Sequence, residues 1–168
     1  MAYAEFTTVI QSEHLRAVAH HWNEARNNRP LPGWNDIKPS QMPGQLKYIW
    51  VYRYDRATRL FTGRLAGNVI EQVFGKSFRG TPMTEIYPPS DYPRLYARAE
   101  RVVCEPAFYH GEGRVFRHLD RIGNGERIML PLADDGHTGD GVLGATVYQT
   151  ATNPLSLEDA EFDSWYPL

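Results

Sequence analysis

Cysteine is almost missing from this chain: among 168 residues only Cys104 carries a thiol. A lone cysteine cannot close an internal disulfide, which fits a reducing compartment, and we expect the protein in the cytoplasm. Charge of one sign is missing too. Lys and Arg number 18 against 20 Asp and Glu, spread along the length for a net charge of −2, so nucleic acid and anionic membrane are not expected partners. No apolar run approaches the roughly 20 residues that span a bilayer. The start, Met1-Ala2-Tyr3-Ala4-Glu5, lacks the basic residues of a secretion signal. Repeats and low-complexity tracts are absent as well. What is abundant is aromatic material, with 4 Trp, 10 Tyr and 7 Phe. That suffices for a packed core or an aromatic-lined cavity, and composition does not choose between them. The length suits one compact domain.

Along the chain, Ser12 fits the cap of a helix over residues 12–26, with Leu15, Val18, Ala19 and Trp22 at helical spacing and Arg16, His20, Asn23 and Glu24 facing out. The stripe is narrow, which suits a sheet edge or a second copy better than deep burial. The helix therefore either packs on its own domain or contributes to a homodimer. Prolines at positions 30, 32 and 39 keep the next stretch extended. Residues 46–54 and 60–67 read as an antiparallel hairpin, with Tyr48, Trp50, Tyr52 and Tyr54 on one face and Ile49 and Val51 on the other. Both faces are apolar, which implies cover on each side. Asn68 fits the cap of a short helix ended by Gly75, and a longer helix should start near Ser90-Asp91 and carry Leu95, Tyr96, Ala99, Val102 and Val103 on one face. Residues 108–119 and 126–133 read as a second hairpin turning at Gly123-Asn124-Gly125. Residues 142–149 read as a fifth strand after a polar turn. The tail, 151–168, offers one helical turn capped by Ser156, with Asp159 three positions on.

Several of these pieces carry a family likeness. Leu31-Pro32 through Asp36-Ile37 and Pro39 come first, then Arg64-Leu65-Ala66-Gly67, Phe74-Gly75, Arg79-Gly80 and the run from Arg127 to Gly136. In that order and spacing they resemble a PAS domain, of the single-domain type common in alphaproteobacterial signalling proteins. Gly33-Trp34 depart from the pattern, standing where the family more often has polar or basic residues. The resemblance implies an α+β fold, a five-stranded antiparallel sheet with short helices on one face and an N-terminal helix. The division would be a helix at 1–28, a core at 29–150 and a tail at 151–168. It also implies a sensory or adaptor module without catalytic activity, which binds a small molecule or a signalling protein such as a histidine kinase, and which often dimerises through the preceding helix. Val51, Leu65, Leu130 and Val147 are expected in one antiparallel surface closing over the central short helices.

Heme needs an imidazole from the long helix, and residues 90–105 contain no histidine. A covalent flavin needs a reactive cysteine, whereas Cys104 follows two valines at a helix end, a setting that suits a buried structural thiol. No cofactor is therefore predicted. Asp134, Asp135, His137 and Asp140 match neither a calcium loop nor a zinc pair, and read as a solvated turn. If a cavity exists between sheet and helices, alternation lines it with Phe61, Arg64, Leu65, Val69, Val73, Phe74, Tyr96, Phe116, His118, Leu130 and Tyr148. Arg64 is the sharpest of these, either turned inward to an anionic ligand or paired with an acid at the surface. Two rival readings stay open: a small cavity enzyme using His118 and Asp120 as an acid–base pair, and a ligand-free interaction domain with a filled core.

Overall fold

A computed structural model of the chain describes residues 2–118, 121–149 and 161–168, without the side chains of 114–118, 121–123 and 161. Two helices come first, α1 (Ala2–Val9) and α2 (Glu13–Ala25). Strands β1 (Ile49–Asp55) and β2 (Leu60–Ala66) precede three helices, α3 (Asn68–Phe74), α4 (Met83–Ile86) and α5 (Tyr92–Cys104). The remaining strands are β3 (Ala107–His118), β4 (Arg121–Leu132), β5 (Gly141–Gln149) and β6 (Glu161–Pro167). All pair antiparallel in one sheet of order β2-β1-β5-β4-β3-β6. The fold is α+β, as expected, with six strands rather than five. The added strand lies in the tail and runs beside β3, from Ala107 opposite Pro167 to Gly113 opposite Glu161. Ser156 and Asp159 lie outside the described residues.

The sheet separates two hydrophobic cores, as the alternation in β1 requires. Ile49 and Val51 enter one with α1 and α2, while Trp50, Tyr52 and Tyr54 enter the other with α3, α4 and α5. Val51 and Leu130 are buried on the same face, and Leu65 and Val147 pack against them. The four do share one surface, but its cover is the N-terminal helix pair, not the central short helices. Leu15, Val18, Ala19 and Trp22 of α2 are fully buried there. Narrow as the stripe is, it is sunk into its own sheet, so it is closed to a second copy. Trp22 further donates its indole N–H to the carbonyl of Pro131 at 2.8 Å.

Local chemistry explains the boundaries. Ser12 Oγ accepts from the Leu15 N–H and caps α2. The helix ends where Asn27 and Asn28 take positive φ, a conformation asparagine tolerates. The α1–α2 link is pinned to the sheet, because Glu126 accepts the backbone N–H groups of Gln11 at 2.7 Å and Ser12 at 2.8 Å. Gly67, not Asn68, occupies the cap position of α3. A Cβ at Gly67 would lie 2.0 Å from the Leu46 carbonyl oxygen, so the chain crossing there excludes a side chain.

Two further expectations are corrected. Gly123-Asn124-Gly125 is not a turn but part of β4, facing β3 on one side and, at Asn124 and Gly125, β5 on the other. Ladder hydrogen bonds on both sides outweigh the local turn preference of Asn-Gly. In β2 the alternation breaks, since Val51 faces Leu65 while Tyr52 faces Gly63. Arg64 is the extra residue of a β-bulge, which turns Leu65 to the face opposite Phe61.

Candidate functional site

The interior between the sheet and helices α3–α5 is aromatic, with a polar centre. Phe61 is buried there against Tyr52 and Tyr54, and Tyr96 of α5 closes on it edge-on at 5.6 Å. Phe74 of α3 meets Phe78 and Tyr87 edge-on. Trp50 lies flat over Gly144, where a Cβ would come within 2.2 Å of the indole. Its indole N–H donates to Thr146 Oγ1 at 3.0 Å. The polar centre is Arg127, 4 % exposed on β4, whose Nε points to the same Thr146 hydroxyl at 3.4 Å. Tyr52 and Tyr87, both buried, join hydroxyl to hydroxyl at 3.2 Å.

The same groups act on one another electrostatically. Burial pushes the Tyr52 phenol well up, the neighbouring Tyr87 adds to the rise, and the Arg127 charge opposes it. Burial also raises Tyr87 and Tyr148, and in both the Arg127 guanidinium pulls the other way. One cation thus acts on three phenols.

At the far end, the interior is closed by β6. Arg98 of α5 makes paired hydrogen bonds to Asp163, at 3.1 Å to Oδ2 and 3.0 Å to Oδ1. The Tyr109 hydroxyl donates to Asp163 Oδ1 at 2.8 Å, and the Arg101 guanidinium stacks over Trp165 at 4.1 Å. Neither the pairing of the last strand nor the burial of Arg98 has a signal in the sequence.

Of the eleven residues expected to line a cavity, the structure gathers Phe61, Phe74 and Tyr148 in this core, with Tyr96 at its edge. Tyr96 turns its hydroxyl outward, donating to the Arg59 carbonyl at 2.7 Å. Val69 and Val73 are half-buried on α3. Leu65 and Leu130 are on the other face of the sheet, Leu65 because of the bulge and Leu130 because its parity on β4 matches Ile128, which faces α2. Arg64 is exposed, stacked over Trp34 at 5.3 Å. With Arg53 and Arg79 it lines an open groove of about 670 Å³ outside the β1–β2 hairpin. The side chains of Phe116 and His118, and Asp120 altogether, lie outside the described residues. Residues that sequence reasoning missed are Arg127, Tyr52 and Tyr87. Parity placed Tyr52 correctly on a face with Trp50, but nothing local marks it as the partner of a residue 35 positions on.

Cys104 is exposed at the end of α5, not buried, because the last helical turn tips it away from Val102 and Val103. The acidic loop is a turn, as read. Asp135 Oδ1 accepts from the N–H groups of His137 and Thr138, which hold its carboxyl down at about 2. The signature loop is tied to that turn, since Leu31 N–H donates to the Gly136 carbonyl and Trp34 N–H to Asp134. Gly33 packs against Asp134, and Trp34 forms the platform for Arg64, which gives this departure from the family pattern a structural role. Among the described residues, no helix is long and apolar enough to cross a membrane. A family model described as a PAS domain matches residues 10–147. No curated protein matches the sequence.

Proposed function

The chain belongs to the PAS domain family, and from that premise we propose a non-catalytic sensor whose helix-covered interior takes up a small molecule bearing an acidic group. Arg127 would hold that group, with the hydroxyls of Tyr52, Tyr87 and Tyr148 around it. The observation that supports this is a guanidinium buried beside three phenols on the sheet face that α3, α4 and α5 cover. A buried cation is costly unless it meets an anion or a set of well-placed dipoles, and this interior offers such a setting. Output would pass to a signalling protein such as a histidine kinase, in the cytoplasm.

Native mass spectrometry of the purified chain tests the reading. The wild-type protein is expected to carry an excess mass that denaturation releases, and Arg127→Gln to carry less of it while keeping the far-ultraviolet circular dichroism of the fold. A wild-type mass equal to that of the bare chain would sink the sensor reading in favour of a filled interaction domain.

A further inference from the structure

On the opposite face of the sheet, beneath the α1–α2 link, three side chains converge whose chemistry the sensor reading does not use. His110 and Glu112 alternate on β3, so both point to the α2 side, and Glu126 stands directly across from Glu112 on β4. Two carboxylates placed opposite each other repel, and burying Glu126 removes the water that would otherwise relieve them. The arrangement calls for positive charge between them. His110 is buried with its Nε2 2.7 Å from Glu126 Oε1 and 3.6 Å from Glu112 Oε1. One donor atom from each residue lies within 4.8 Å of the other two.

We propose that His110, Glu112 and Glu126 form a binding site for a first-row divalent cation such as Zn²⁺. An ion bonded at about 2.0–2.2 Å needs its donors roughly 3–3.5 Å apart. His110 and Glu126 must therefore open slightly, and Glu112, half-exposed and accepting from the Gln11 side-chain amide at 3.1 Å, must leave that partner and close in. Nε2 gives up its hydrogen as it binds, the proton passing to Nδ1 or to solvent. A further donor stands ready, because Asn124 Oδ1 is shielded from solvent with no hydrogen-bond partner among the described residues and lines the same hollow as Glu112 and Glu126. That hollow, about 330 Å³, opens to the outside and gives the ion an entry path. One imidazole with carboxylate and amide oxygens suits zinc or a neighbouring transition metal better than calcium, which takes oxygen alone. Glu126 can keep the N–H groups of Gln11 and Ser12 while it binds, so the ion would fasten the N-terminal helices to the sheet.

The test is titration of chelator-stripped full chain with ZnCl₂, by calorimetry and by thermal melting. Wild type is expected to bind one equivalent and melt higher with zinc; Glu112→Gln should weaken binding by at least about tenfold and lose the rise in melting temperature. Glu112 is partly exposed, so this variant should fold even if His110→Gln does not. His20 and Glu24, 3.3 Å apart on α2, form an exposed pair that could capture zinc adventitiously. Binding lost in His20→Gln but kept in Glu112→Gln would overturn the proposal, as would no binding by the wild type. Because this site lies across the sheet from Arg127, neither outcome bears on the small-molecule reading.

Discussion

Tyr52 and Tyr87 show how far one pair of hydroxyl groups shapes the behaviour of the interior. Each is raised by burial; their mutual hydrogen bond adds to the rise at Tyr52 and works against it at Tyr87, where burial wins. A group whose folded value lies above its unfolded one contributes stability that is complete below the unfolded value, near pH 10 for tyrosine, and is lost as pH rises through the folded value. Stability is therefore expected to fall above about pH 10. Ultraviolet titration should show exposed tyrosines ionising first and these two only as the protein unfolds. Smooth ionisation of all ten tyrosines before unfolding would contradict the burial described here. Tyr52→Phe leaves the Tyr87 hydroxyl without this partner and should cost about 0.5–1.5 kcal/mol in denaturant unfolding.

Among the elements, β6 has the clearest consequence. It covers the edge of β3 and delivers Asp163 to Arg98, an arginine that α5 buries. Asp163→Asn keeps the shape and removes the charge. The expected loss is about 1–3 kcal/mol, below that of a fully buried pair because the carboxylate is still reached by solvent. Urea midpoints of the variant and of Arg98→Met/Asp163→Asn check this, since replacing both partners should recover part of the loss. Equal midpoints for wild type and Asp163→Asn would mean that the Asp163–Arg98 pair adds nothing to the hold on β6. The N-terminal helices carry a different weight: α2 supplies four fully buried side chains, so the segment before residue 28 is cover for the sheet and not a detachable arm.

For the molecule as a whole, the two cores share one sheet, and neither can be lost without exposing the back of the other. Unfolding is expected to be a single transition. Trp22 lies in the α2 core and Trp50 in the other, so each can report on its own side. Fluorescence of Trp22→Phe and of Trp50→Phe should follow the circular dichroism of the same variant, with coincident midpoints within each protein. A separate early transition seen by Trp22 alone would mean that α1 and α2 detach as a unit.

Period-two alternation in β1 and helical spacing in α2 and α5 were readable directly, because both depend on which residues must leave water. The two-sided cover of the sheet followed from the same alternation. Other features required the folded chain. The bulge at Arg64 moves Leu65 across the sheet, and it is visible only in the pairing of β2 with β1. Asn124-Gly125 signals a turn locally, yet pairing on both sides holds it in a strand. Arg127, Tyr52 and Tyr87 come together across three elements, and His110, Glu112 and Glu126 across two strands and a helix link. Local pattern determined which face most residues of the regular strands and helices take. Only the tertiary structure decided which faces meet, since hydrogen-bond ladders and burial act between segments far apart in the chain.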